Sequence, residues 1–394
     1  MRALDQITAI SFMNLRNLWQ RFWSSLVVVV GVAGVVAVLV SVLAMASGFQ
    51  STVAGTGRAD RAIILRGAAN SELESGMSRS AAVTLSDGPG IKKDSDGRPI
   101  ASAELLVMVN LPKKGQTDAA NVALRGVGEA VFALRPEMQI VEGRAFQPSV
   151  YEAIVGKSAH AQFQGLEIGN RINIRGTEWT VVGVFTSNGD THESEIMADA
   201  ESIASAYRRP GFQAMSVMLE SPEAFDALKA WVSSNPTLGL DVRREPDYYA
   251  SQSRQLSQVL FFIAYFVGGI MAVGALFGAL NTMYSAVAAR TVEIATLRAI
   301  GFGSASVMVS VLLEALLLAL AGGAVGALLA WLFFNGNAVS TLGANFTQLV
   351  FPLTVSGPVL TTGILWALAV GALGGLLPAA RAARLPVAVA LQVR

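Results

Sequence analysis

The chain has 394 residues, 53% hydrophobic and 14% charged, with a formal net charge of +1, where an ordinary soluble domain carries roughly 25% charged residues. So little polar surface excludes a single soluble domain, the high hydrophobicity excludes disorder, and 38 Gly and 13 Pro without a period exclude a Gly-X-Y fibre. The near-neutral charge leaves no electrostatic footprint for nucleic acid, and the lack of any Cys excludes a disulfide framework, a thiolate zinc site and a cysteine nucleophile.

The charges are unevenly placed. Residues 48–258 hold 21 Lys/Arg and 25 Asp/Glu, and the other 183 residues hold 8 and 3. This division predicts a membrane protein with one large water-facing domain. In chain order, Leu4 to Phe22 places Phe12, Leu15, Trp19 and Phe22 on one side and reads as an interfacial elbow helix within 1–23. Ser24 to Ala46 is the first stretch long enough to cross a hydrocarbon core, which takes about 20 apolar residues. Ala44-Met45-Ala46 imitates a signal-peptide cleavage site, but the apolar part is too long for a signal h-region, so an uncleaved span over 24–47 is expected.

The water-facing domain, 48–246, has mixed α/β patterning. Ala62 to Leu65 and Leu105 to Val109 read as strands, and Asn70 to Arg98 as a loop. Ser158 to Gln164 reads as a short helix. Arg171 to Ile174 and Glu178 to Phe185 form a hairpin across Arg175-Gly176-Thr177, and Glu223 to Val232 has helical spacing. Pro246 followed by Asp247 reads as a helix start with Asp as N-cap. No further proline occurs before Val350, so a helix over 247–289 is roughly twice as long as a bilayer needs and predicts a stalk carrying Gln252, Ser253, Arg254 and Gln255 outside the membrane. A third span is expected over 304–334, a short loop over 335–359, a fourth span over 360–377 and a tail over 378–394. Arg2, Arg16 and Arg21, then Arg290 and Arg298, then Arg381, Arg384 and Arg394 flank the spans on one side. The positive-inside rule puts the termini and the 290–303 loop in the cytoplasm and the domain outside.

Catalytic signals fail. Gly156-Lys157-Ser158 resembles the end of a phosphate loop, but Tyr151 stands where its first Gly is needed. Gly301-Phe302-Gly303 follows no strand and reads as a helix stop. Asp190, His192, Glu193 and Glu195 crowd together as conceivable metal ligands, and a solvated turn is the plainer reading. His160 has no nucleophile placed with it by any motif. No catalytic, cofactor-binding or metal residues are therefore assigned.

Ala289-Arg290-Thr291-Val292-Glu293-Ile294-Ala295-Thr296-Leu297-Arg298-Ala299-Ile300-Gly301 resembles the cytoplasmic loop after the second span in FtsX-like, MacB-type ABC permeases. Pro378-Ala379-Ala380-Arg381-Ala382-Ala383-Arg384-Leu385 resembles their C-terminal signature, and Glu142-Gly143-Arg144, Ile154-Val155-Gly156 and Trp179 to Phe185 their periplasmic core. The resemblance covers nearly the whole chain but lacks the ATPase that MacB carries. It implies an α-helical membrane protein with four transmembrane helices and a mixed α/β extracytoplasmic domain inserted between helices 1 and 2, in the bacterial inner membrane. ATP and Mg would be held by a separate ABC ATPase, in two copies.

From the residues alone, the helix from Arg290 to Ile300 fits either a lipid interface or a partner's groove. The resemblance implies the latter, a coupling helix meeting the ATPase through Arg290, Glu293, Leu297, Arg298 and Gly301. Small residues four apart (Gly274 and Gly278, Gly322 and Gly326, Gly371 and Gly375) predict close helix packing. Glu314, the one acid deep in a span, predicts a hydrogen-bonded packing role or a part in gating. The implied function is ATP-driven mechanotransmission by a permease dimer, homodimeric or heterodimeric, to a periplasmic domain. It would serve efflux through a periplasmic adaptor and outer-membrane duct. The alternatives are extraction of lipoproteins or lipids, and regulation of periplasmic hydrolases or signalling without transport.

Overall fold

The computed structural model describes Gln6, Met13 and residues 22–116, 118–343 and 347–386. Most of the expected elbow helix, and the tail beyond Pro386, lie outside the described residues. In chain order the elements are α1 (Phe22–Ala54), β1 (Arg61–Arg66), α2 (Arg79–Ser86), β2 (Ala101–Pro112), β3 (Ala119–Val127), α3 (Val131–Leu134), β4 (Gln139–Gly143), β5 (Glu152–Gly156), α4 (Lys157–Gln162), β6 (Arg171–Ile174) and β7 (Thr177–Thr186). There follow β8 (Glu195–Asp199), α5 (Ala200–Ala206), β9 (Ala214–Met218), α6 (Ala224–Ser233), β10 (Leu240–Arg244), α7 (Glu245–Ala289), α8 (Thr291–Ala299), α9 (Ser304–Phe334), β11 (Ala338–Leu342), β12 (Gln348–Pro352) and α10 (Gly357–Ala383). These divide into a helical unit, residues 1–47, 259–337 and 353–394, and a sheet unit, residues 48–258 and 338–352.

Four helices, α1, α7, α9 and α10, are long and apolar enough to cross a membrane. Within the helical unit, Val32, Val36, Leu39 and Val40 of α1 are buried against Leu318, Ala327 and Ala330 of α9 and Ala367 and Val370 of α10. Glycine lets these helices meet. A Cβ added at Gly326 would stand 2.4 Å from the Ala33 carbonyl oxygen, and one at Gly322 2.7 Å from that of Val29. Gly371 and Gly375 are as tight against Ala319 and Ala315, at 2.4 and 2.5 Å from their Cβ atoms. Gly274 and Gly278 differ: nothing lies within 4 Å of a Cβ at either, so this pair packs against no described part of its own chain. The fourth helix is longer than 360–377 at both ends. Pro358 fits its first turn, where a missing N–H removes no bond, and the helix continues past buried Pro378 to Ala383.

The sheet unit holds a mixed ten-stranded sheet in the order β10-β1-β9-β2-β3-β8-β5-β7-β4, with β6 on β7, and the separate pair β11-β12. Most neighbours are antiparallel, and β3–β8 and β5–β7 are parallel. Two larger cores bury the strands of the sheet. One buries Ile64, Met215 and Val217 under Leu85 of α2 and Leu228 of α6. The other buries Leu124, Val155, Trp179 and Ile196 with Ala159 of α4 and Ile203 of α5. The β6–β7 hairpin pairs Ile172 with Trp179, as alternation predicts. The 70–98 segment is not plain loop: it carries a 3-10 turn, Glu72–Glu74, and α2, whose start is capped by the Ser78 side chain accepting from Ala81 N–H. The 335–359 segment likewise contains an antiparallel hairpin, β11–β12. Its Phe351 is buried edge-on against Phe49 at 5.5 Å, and Val350 N–H donates to Ser194 Oγ.

Candidate functional site: a pinned helix and a buried helix root

In the helical unit, Arg290 interrupts the helical run at φ −110°, ψ 14°, and α8 begins at the next residue. α8 ends in a Schellman motif. Gly301, at φ +102°, donates its N–H to the Arg298 carbonyl, and Phe302 donates to that of Leu297. Only glycine takes that backbone conformation without strain. One side of α8, Ile294 and Ala295 with Leu297, faces an apolar cluster of Met283, Val287, Val307 and Val311.

Both arginines make contacts within the chain, Arg290 buried and Arg298 half-buried. Arg290 is buried, its Nη1 3.4 Å from Glu314 Oε2 on α9 and its Nε 3.1 Å from Glu293 Oε2 on α8. Arg298 donates through Nη1 to the Leu385 backbone carbonyl, just past the end of α10. Inward contacts by Leu297 and Arg298 leave an outward face of Val292, Glu293, Thr296, Ala299 and Ile300, with Ile300 69% exposed. Of the five expected coupling residues, Glu293 and Gly301 are exposed.

The sheet unit holds a second arrangement with no obvious sequence signal. The first turns of α7 are rooted among buried charges. Glu245, not Asp247, opens the helix. Its Oε1 accepts from Arg135 Nη1 at 2.8 Å, its Oε2 accepts from the Arg58 N–H at 3.1 Å, and Arg61 Nε stands 3.6 Å away. A carboxylate at a helix N-terminus also meets the positive end of the helix dipole. Tyr248 Oη accepts from Glu72 N–H, Gln252 donates to the Asn70 carbonyl, and Tyr249 Oη meets His192 Nε2 at 3.3 Å. His192 is fully buried, not a solvated turn, and its Nδ1 lies 2.9 Å from Glu195 Oε2.

Glu195 leads to Arg125, whose five guanidinium N–H groups all go to three buried carboxylates. Nε and Nη2 reach Glu195, Nη1 and Nη2 reach Glu72, and Nη1 reaches Glu104, at 2.6–3.0 Å. Burial opposes charge here, yet Glu195 and Glu72 hold the guanidinium well above its ordinary pKa, and Arg125 and His192 hold the Glu195 carboxyl well below its own. Burial likewise disfavours the Glu245 carboxylate, and Arg135 and Arg61 outweigh it and lower its pKa. The signals for this network were an Arg inside the apolar run Val122 to Val127 and an acid immediately before Pro246. Neither shows its partner in sequence. Among the described residues no group of three or more His, Asp or Glu is placed to hold a metal. Gly156 is required by packing, since a Cβ there would stand 2.2 Å from the Glu193 carbonyl oxygen.

Among the described residues, four membrane-length helices accompany a mixed sheet domain. The chain matches the MacB-like periplasmic core domain over residues 25–234 and the FtsX-like permease C-terminal segment over 265–387. It belongs to the FtsX/MacB family of ABC transporter permeases. It is 25% identical over 421 residues to the macrolide export ATP-binding/permease protein MacB of Rhodopirellula baltica, covering 94% of this chain and 59% of that protein. It is 35% identical over 130 residues to MacB of Sodalis glossinidius, covering 33% of this chain and 18% of that protein. An uncharacterized ABC transporter permease of Methanocaldococcus jannaschii is 24% identical over 258 residues, covering 62% and 63%. The chain thus spans about three fifths or less of the length of these relatives. Among solved structures, it is similar to the periplasmic region of MacB from Actinobacillus actinomycetemcomitans, with TM-score 0.37, 15% identity and coverage of 52% of this chain and 94% of that one. The extracellular domain of the noncanonic ABC-type transporter YknZ from Gram-positive bacteria gives TM-score 0.36 and 13% identity, covering 46% and 99%.

Proposed function

We propose that this permease turns ATP hydrolysis by a partner ABC ATPase into movement of its sheet unit, and that the movement drives export. The observation that carries the reading is the outward face of α8. Val292, Thr296, Ala299 and Ile300 form a short apolar strip with Glu293 beside it, on a helix held firmly from behind. Such a face suits the groove of a protein partner. ATP and Mg belong on that partner. Positive-inside counting puts α8 in the cytoplasm and the sheet unit in the periplasm, with α1, α7, α9 and α10 in the inner membrane.

Two copies would assemble, whether identical or related, with Gly274 and Gly278 of α7 as the small-residue face offered to the second. The unbroken α7, 45 residues and about 68 Å long, serves in this account as the lever that carries movement outward. Export is supported by the names of the MacB relatives; a periplasmic adaptor and outer-membrane duct complete the proposed route. Copurification tests the docking face. Val292→Asp combined with Ile300→Asp should abolish recovery of the ATPase with a normally abundant permease. Undiminished recovery would refute the assignment.

A further inference from the structure

Glu314 sits in a helix with no other charged residue, Ser304–Phe334, and is buried. A carboxylate there is costly unless a partner neutralises it. Its partner Arg290 comes from 24 positions earlier, at the break where α7 ends and α8 begins. The same guanidinium holds Glu293 one turn into α8. At the other end of α8, Arg298 is bonded to the Leu385 carbonyl beyond α10. Arg290 and Arg298 thus stand at opposite ends of α8. Each ties one end of α8 to a different long helix.

We infer that Glu314 is a positioning residue: with Arg290 at one end and the Arg298–Leu385 bond at the other, it clamps α8 to α9 and α10 so that the short helix moves with them as one body. The apolar contacts of Ile294 and Leu297 are non-directional and would let α8 slide or roll. A buried ion pair and a charge-assisted bond to a backbone carbonyl are directional and fix its register, because a displaced position breaks them. The role deepens the packing reading of Glu314, since the hydrogen bond from Arg290 Nη1 joins α9 to the break between α7 and α8. It rests on the proposed function only for what α8 then pushes against; the clamp itself is a property of this chain.

The absence of cysteine allows the clamp to be measured directly. Spin labels on cysteines introduced at Thr296 and Ala321, both exposed, report the distance between α8 and α9 in the full-length permease in nanodiscs. The native pair should give one narrow distance distribution. Glu314→Ala should broaden it at least twofold, and Glu314→Gln should broaden it less, because an amide oxygen still accepts from Arg290. Arg290→Glu combined with Glu314→Arg should restore the narrow distribution. Should Glu314→Ala not accumulate, the Gln variant and the exchanged pair decide. A distribution unchanged in Glu314→Gln, or still broad in the exchanged pair, overturns the proposal. Recovery of an ATPase with the unsubstituted chain is a separate readout; its failure would sink the coupling assignment and leave the clamp standing.

Discussion

Glu245 and Arg135 face each other across 2.8 Å with both side chains about 2% exposed, so the first residue of α7 is fastened inside the sheet unit by a fully desolvated ion pair. Removing one partner of such a pair leaves the other charge buried and alone, which destabilises by roughly 3–5 kcal/mol. Glu245→Ala should therefore lower the thermal midpoint of the sheet unit by many degrees and open the 240–260 region to protease. Glu178→Ala, which breaks the exposed pair with Arg171, should leave the midpoint unchanged. Equal effects from the two would show that the root of α7 is not held by charge.

The same network sets a pH dependence. Glu195 and Glu245 both have folded pKa values depressed below the ordinary 4.5. Each contributes stability that is fully present above that value and is lost as pH falls through the folded pKa. Asp190, raised by burial, acts in the opposite direction: its ionised form is disfavoured in the fold, so protonation relieves the sheet unit there. Two depressed carboxylates should outweigh one raised. Between pH 7 and pH 5 the melting temperature should stay nearly flat, and below pH 4 it should fall steeply. In Glu245→Gln the acid limb should shrink, which circular dichroism against pH measures.

Local rules were legible and partnerships were not. The β6–β7 hairpin follows from alternation around Arg175-Gly176, and the stop of α8 follows from Gly301. Both depend on neighbours in sequence. Four apolar stretches gave the four long helices because hydropathy needs no partner. His192 was misread because its burial is imposed from outside its loop, by Tyr249 57 residues away. The partners of Arg290 and Arg298, Glu314 and the Leu385 carbonyl, lie later in the chain, so these contacts do not show in the local sequence. The β11–β12 hairpin was missed because its order comes from tertiary partners: Phe351 finds Phe49, and Val350 finds Ser194.

The six paired glycines separate into two kinds. At Gly326 a Cβ would strike the Ala33 carbonyl, a backbone atom that cannot turn away. Gly326→Ala should therefore destabilise the helical unit by about 1–3 kcal/mol and reduce its level in the membrane. Gly278→Ala meets nothing within 4 Å among the described residues and should leave folding intact. If two copies assemble as proposed, any loss it causes should appear only as a shift from dimer to monomer, read by mass photometry in detergent. A folding defect at Gly278 equal to that at Gly326 would contradict the division.

The direct test of the account is a contact between α8 and an ATPase. A photo-crosslinking residue placed at Thr296, on the outward face, should join the permease to one protein of ABC ATPase size in native membranes, identified by mass spectrometry. The same residue at Ile294, turned inward, should give no such adduct. Recovery of the ATPase adduct from Thr296 alone is the predicted result. Crosslinks from Thr296 to lipid only, in cells with a normal level of permease, would contradict the claim that this helix couples the chain to ATP.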